Sequence, residues 1–128
     1  MLRAPLPYNP PVSVILGSAH LAHRLPTARV GLLANPASCD GELRHVADLV
    51  TALPGVTLAA LFGPQHGFRS DVQDNMIETD HARHPVLNVP VYSLYGETRE
   101  PTAAMLEGLD LLIIDLQDVG TRVYTYIH

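Results

Sequence analysis

Arg29-Val30-Gly31-Leu32-Leu33-Ala34-Asn35-Pro36 is an apolar run that ends abruptly in a polar turn. A strand that alternates apolar and polar residues has one face in water, whereas a run apolar at nearly every position belongs to a strand covered on both faces. Working outward, the same pattern recurs. Residues 56–62 read Val-Thr-Leu-Ala-Ala-Leu-Phe, residues 89–94 read Val-Pro-Val-Tyr-Ser-Leu, and residues 110–115 read Asp-Leu-Leu-Ile-Ile-Asp. Between the first two lies a helical stretch. Asp40 is placed to cap it, Leu43, Val46, Ala47 and Val50 recur at helical spacing, and Pro54-Gly55 ends it. Residues 101–109 predict a second short helix, and residues 18–25, stopped by Pro26, a third. The segment 63–88 is polar and longer than an ordinary connection, which marks it as a functional loop or a poorly ordered one. Strands separated by helices pair in parallel through right-handed crossovers. The expected fold is therefore α/β, a Rossmann-like, mostly parallel sheet flanked by helices.

The chain has 128 residues, enough for one domain, and 47% of them are hydrophobic. Residues 1–11 carry Pro5, Pro7, Pro10 and Pro11 and read as an extended entry segment, with the domain itself over 12–128. Residues 121–128 look like the opening of a further helix that stops without a cap. The expectation is a truncated chain, the amino-terminal part of a larger protein whose carboxy-terminal domain is absent. No apolar stretch approaches the ~20 residues that span a bilayer. Arg3 is followed by prolines where the apolar segment of a signal peptide would lie, so the location reads as cytoplasmic or stays unassigned. The net charge is −5, and all eight basic residues are arginines scattered along the chain, which argues against nucleic acid as a partner. Cys39 is the only cysteine, which excludes an internal disulfide and a thiolate zinc cluster; it reads as a small loop residue rather than a nucleophile.

Ligands of an open parallel sheet bind beyond the carboxyl ends of its strands. Four loops at those ends carry more polar chemistry than a turn requires: Asn35-Pro36-Ala37-Ser38, Gly63-Pro64-Gln65-His66-Gly67-Phe68-Arg69, Tyr95-Gly96-Glu97-Thr98-Arg99, and Asp115-Leu116-Gln117-Asp118-Val119-Gly120-Thr121-Arg122. Together they predict one polar pocket on one rim. No G-x-G-x-x-G or G-x-x-x-x-G-K string follows any strand, so a nucleotide cofactor is not expected. His81 and His84, with Asp80 and His66, suggest a metal if 81–84 were helical. Pro85 limits a helix there, and the expectation is no metal.

The strings Leu32-Leu33-Ala34-Asn35-Pro36-Ala37, Phe62-Gly63-Pro64-Gln65-His66-Gly67-Phe68-Arg69, Tyr92-Ser93-Leu94-Tyr95-Gly96-Glu97 and Asp115-Leu116-Gln117-Asp118-Val119-Gly120-Thr121-Arg122-Val123-Tyr124-Thr125-Tyr126 stand in an order and spacing that closely resembles the bacterial exo-β-N-acetylmuramidase family, long known as a domain of unknown function (DUF1343). The resemblance runs from about residue 12 to residue 128. It implies a Rossmann-like amino-terminal domain that shares a cleft with a smaller carboxy-terminal one, no cofactor, and release of terminal N-acetylmuramic acid from peptidoglycan fragments during cell-wall recycling. The isolated fragment is then expected to be inactive. Many members carry Glu before the His-Gly pair, where this chain has Gln65. A glycosidase uses two carboxyl groups, and a glutamine amide cannot supply an acidic proton. Either another carboxyl serves, among Asp71, Asp74, Glu97 and Asp118, or this branch is a non-catalytic or altered-specificity binder of muropeptides and amino sugars.

The catalytic candidates are Gln65, His66 and Asp118. His66 reads as an acid/base or sugar-binding donor, or as a hydrogen-bonded loop histidine. Asp118 reads as the acid/base carboxyl or as the cap of the helix that begins near Gly120. The substrate-binding candidates are Asn35, Arg69, Tyr95, Glu97, Gln117, Arg122 and Tyr124. Arg69 and Arg122 suit the lactyl carboxylate of muramic acid, since guanidinium grips carboxylate with two parallel hydrogen bonds. Tyr95 and Tyr124 suit stacking on a sugar ring, and Glu97 suits its hydroxyls.

Overall fold

The computed structural model describes residues 14–64, Phe68 and residues 80–120. Five strands form one sheet: β1 (Ala28–Ala34), β2 (Val56–Gly63), β3 (Ala82–Arg83), β4 (Pro90–Ser93) and β5 (Leu111–Asp115). Their order is β3-β4-β2-β1-β5. β1, β2, β4 and β5 are mutually parallel, and only the two-residue β3 runs antiparallel, along the outer side of β4. The chain steps outward from β1 to β2 to β4, then returns to the opposite side of β1 to lay down β5. The direction of winding therefore reverses between β1 and β5, the place where open α/β sheets form their binding crevice. The α/β reading of the sequence holds, with the four long strands within a residue or two of their expected limits.

The helices are short: α1 (Leu21–Arg24), which continues a 3₁₀ turn over Gly17–His20, α2 (Val46–Thr51) and α3 (Ala103–Leu106). α2 lays Val46, Ala47 and Val50 on one face of the sheet, where they meet Val30, Leu32, Ala34, Leu58 and Leu61 in the core. Leu58 and Leu61 reach the same core although three residues apart, because β2 slips register against β1: Val30 pairs with Leu58, but Gly31 pairs with Ala60. One extra residue reverses the parity of every side chain after it. Phe62 thus goes to the other face, fully buried, where it packs against Gly31 and Tyr92. A Cβ on Gly31 would lie 2.8 Å from a Leu109 methyl and 2.9 Å from the Phe62 ring, so a glycine is required for that close approach.

The largest departure from expectation is the start of α2. The predicted helix from Asp40 is replaced by a small hairpin in which Cys39 and His45 pair across the turn. The Asp40 carboxylate accepts the backbone N–H groups of Glu42 and Arg44, each at 2.9 Å, and the Arg44 Nε at 2.8 Å. Leu43, expected on the inner face of the helix, sits at φ 60° and is 84% exposed. The Asp side chain competes with helix by offering the backbone local hydrogen bonds, and here the turn wins. The cap passes to His45, whose Nδ1 accepts from Ala47 N at 3.2 Å. The segment 63–88 also differs from a plain loop in containing β3. The expected extended segment 1–11 and the helix opening at 121–128 lie outside the described residues. No helix among the described residues is long and apolar enough to cross a membrane.

Candidate functional site

The buried polar residues among those described are Asn35, Ser38 and Ser93. All three sit at carboxyl ends of parallel strands, the first two just beyond β1 and the third closing β4. Burying a polar group is costly unless it is hydrogen-bonded, so their partners show what this rim is built to hold.

At the β1/β5 end the partners lie across the gap between the two strands. Ser38 Oγ is fully buried and accepts from Asn35 N at 2.9 Å. Its single proton is shared between Asn35 Oδ1, 2.9 Å away, and the carbonyl of Asp115. Asn35 Nδ2 donates to the Gln117 carbonyl at 3.0 Å, and Gln117 Nε2 donates to the Cys39 carbonyl at 3.0 Å. Gln117 Nε2 also lies 3.3 Å from Asp115 Oδ1. His45 completes the arrangement from below: with Nδ1 accepting from Ala47, its Nε2 carries the proton and donates to the Asn35 carbonyl at 2.9 Å. The loops 35–39 and 115–117 are thereby joined at the reversal point by three side-chain bonds. Asp118, the next residue, is exposed, and its Oδ1 accepts from Gly120 N at 2.8 Å. Cys39 lies against the seam with its thiol pushed up by burial and then by the carboxylates of Asp40, Asp115 and Asp48. This is the environment of an unreactive thiol.

The β2/β4 end is built from rings. Phe68 meets His45 edge-on at 5.3 Å and His84 at 6.1 Å. His81 meets Tyr92 edge-on at 5.5 Å, and Tyr92 packs on Phe62 at the same distance. His81 Nδ1 accepts from Ser93 N at 3.0 Å and His84 Nδ1 accepts from Leu87 N at 3.1 Å. The segment joining the two histidines is strand, so they are not presented on one helical face. Among the described residues no three His, Cys, Asp or Glu groups cluster as a metal site. Tyr95 is half-buried, with the Arg99 guanidinium 3.8 Å over its ring, and Glu97 is exposed.

Of the residues predicted from sequence, Asn35, Gln117 and Asp118 fall together at the β1/β5 end, and Tyr95 and Glu97 fall on the same rim beyond β4. Two strands separate β4 from β5, which puts the two groups about 14 Å apart at ~4.8 Å per strand step. Gln65, His66, Arg69, Arg122 and Tyr124 lie outside the described residues. Ser38, His45 and Ser93 carry rim contacts that the sequence reading passed over. Ser38 lay inside a flagged loop, but nothing in the sequence pairs it with a carbonyl 77 positions later. His45 is outside the usual capping residues.

A cavity of about 320 Å³ opens beside this seam, between the 3₁₀ turn, α1 and the end of β5. Leu16, Leu21, Val46 and Ile113 give it apolar walls, and Asp115 and Gln117 line it on the seam side.

Residues 30–128 match the family model described as exo-beta-N-acetylmuramidase NamZ, N-terminal. The chain is 47% identical over 100 residues to the peptidoglycan beta-N-acetylmuramidase NamZ of Bacillus subtilis, covering 78% of this chain and 24% of that protein. Crystal structures of two DUF1343 family proteins from Bacteroides fragilis share the fold, each with a TM-score of 0.64. One is 44% identical and covers 77% of this chain and 24% of its own; the other is 29% identical and covers 90% and 29%. The chain thus spans about a quarter of the length of the relatives it matches. With a parallel α/β sheet and a family model that covers most of the chain in agreement, the chain belongs to the NamZ exo-β-N-acetylmuramidase family, whose N-terminal model it matches.

Proposed function

We propose that this chain is the amino-terminal half-site of a glycoside hydrolase that releases terminal N-acetylmuramic acid from peptidoglycan fragments. The carbohydrate is a muropeptide or a related amino sugar, and the remainder of a longer polypeptide supplies the other wall of the cleft. The observation that carries this reading is the joined polar rim at the β1/β5 reversal point, in a chain 47% identical to a peptidoglycan β-N-acetylmuramidase.

In this reading Asp118 is the acid/base carboxyl. It stands exposed beside Asn35, Ser38 and Gln117, whose side chains are engaged in holding the loops. Glycosidase carboxyls act in pairs roughly 5–10 Å apart. The ~14 Å between the ends of β4 and β5 makes Glu97 a better ligand for sugar hydroxyls than a partner for Asp118. Gln65 and His66 follow β2, which lies between those two strands, and are assigned to the reacting sugar. Gln65 holds its N-acetyl group or a water, and His66 donates to it. Arg69 and Arg122 bind the lactyl carboxylate. Tyr95, held under Arg99, stacks on the ring, and Tyr124 is assigned the same role. Asn35 and Gln117 shape the floor of the pocket.

The test is hydrolysis of a chromogenic β-N-acetylmuramide by the full-length polypeptide that carries this domain. Release above a heat-inactivated control is expected. Muropeptide binding without release, with turnover gained on Gln65→Glu, would replace the hydrolase by a binding relative.

A further inference from the structure

Among the described residues the Asp118 side chain is anchored by the Gly120 amide alone, yet a proton-transferring carboxyl must be held to within a fraction of an ångström. Its backbone is fixed from the other side of the reversal point. The Gln117 carbonyl, which belongs to the peptide unit leading into Asp118, accepts from Asn35 Nδ2. The orientation of the Asn35 amide is in turn set by Ser38, whose Oγ faces Asn35 Oδ1 and receives Asn35 N. Ser38 also holds the Asp115 carbonyl, three residues before Asp118, and its own carbonyl accepts from Val46 N at 2.8 Å, tying it to the base of α2. One buried hydroxyl therefore touches both the Asn35 amide and the last residue of β5.

We propose that Ser38 is the positioning residue for Asp118, acting through the Asn35 amide and the Gln117 carbonyl and touching no substrate itself. This rests on Asp118 being the acid/base group of the proposed hydrolase. The clasp works by geometry. Alanine at position 38 leaves the Asn35 N–H and the Asp115 carbonyl without their partner, and frees the Asn35 side chain to turn. The Gln117 carbonyl before Asp118 then loses its fixed donor, and the carboxyl samples directions from which it cannot reach the leaving oxygen.

A mutant cycle on the full-length polypeptide tests this, with kcat and KM for the chromogenic β-N-acetylmuramide measured for wild type, Ser38→Ala, Asp118→Asn and the double variant. Ser38→Ala is expected to lower kcat by roughly 10- to 100-fold with KM within about twofold. On the Asp118→Asn background it is expected to lower kcat by less than about twofold, because the group it positions is already gone. An equal loss on both backgrounds would overturn the proposal and leave Ser38 a purely structural residue. If Ser38→Ala does not fold, Asn35→Asp, which keeps an oxygen for Ser38 Oγ but removes the Nδ2 donor to the Gln117 carbonyl, must show the same coupling. A second readout is independent of turnover, so a failure of the hydrolase reading and a failure of the clasp are told apart. Hydrogen exchange across 115–120 is expected to speed up about tenfold in Ser38→Ala while β2 stays as protected as in wild type. Unchanged exchange at 115–120 would overturn the clasp whatever the substrate.

Discussion

The two ends of the rim are held by different physics. Between β1 and β5, an asparagine, a serine and a glutamine exchange side-chain bonds with backbone carbonyls across the gap, and the most central of them are buried. Beyond β2 and β4, histidine, phenylalanine and tyrosine rings meet edge-on, and the nitrogens of His81 and His84 accept nearby amides, as the Ser93 hydroxyl accepts Tyr95 N. Directional bonds to buried groups fix loops with little tolerance, whereas ring contacts are broad and individually weak. The lesson is a division of labour: the end that tolerates least displacement is the one that leads into Asp118, and on the proposed reading the ring-built end is the surface on which the ligand lies.

Four substitutions set this comparison at risk, from large effect to small. Asp118→Asn keeps an oxygen for the Gly120 amide but loses the acidic proton, so on the proposed reading kcat falls about 10²- to 10⁴-fold with little change in melting temperature. A steady-state assay beside a thermal melt checks both halves. Phe62→Ala empties the fully buried support under Tyr92 and costs about 3–5 kcal/mol, read as a shift in the urea midpoint. If the ends are as separable as described, hydrogen exchange at 115–118 stays nearly as slow as in wild type at low denaturant. Tyr95→Leu keeps apolar bulk but removes the ring under Arg99, an expected loss of about 0.5–1 kcal/mol with a larger effect on KM than on kcat.

The smallest effect is at the Asp40 turn. Backbone donation from Arg44, then its side chain and the Glu42 amide, hold the Asp40 carboxyl below its ordinary value. A group lowered in the folded state stabilises above its unfolded value, and that contribution is lost as pH falls through the folded one. The melting temperatures of wild type and Asp40→Asn should therefore differ slightly at pH 7 and converge on acidification. A gap that widens toward low pH would reverse the assigned sign.

Much of this was legible in the sequence because near-continuous apolar runs such as 56–62 have few other uses in a chain of this size. The rim was legible for the same reason in reverse. Asn35, Gln117 and Asp118 come within three residues of the strand ends and carry more chemistry than their turns need. What could not be read is what depends on distant partners. Asp40 resembles a helix cap until Arg44 is seen to bind it, and the cap moves five residues on to His45. The bulge after Val30 leaves no mark in a run apolar throughout, yet it decides that Phe62 faces Tyr92 and not α2. Tyr95 and Gln117 looked equally suited to one pocket, and only the strand order separates them along the rim.

The central claim, that ligand chemistry is seated at the β1/β5 reversal point, is tested most directly by hydrogen exchange of the full-length polypeptide with and without a muropeptide ending in N-acetylmuramic acid. Slower exchange at 34–39 and 115–120 is the result the account predicts. Slowing confined to the opposite ends of the same strands, around 28–29, 55–57 and 110–111, would contradict it.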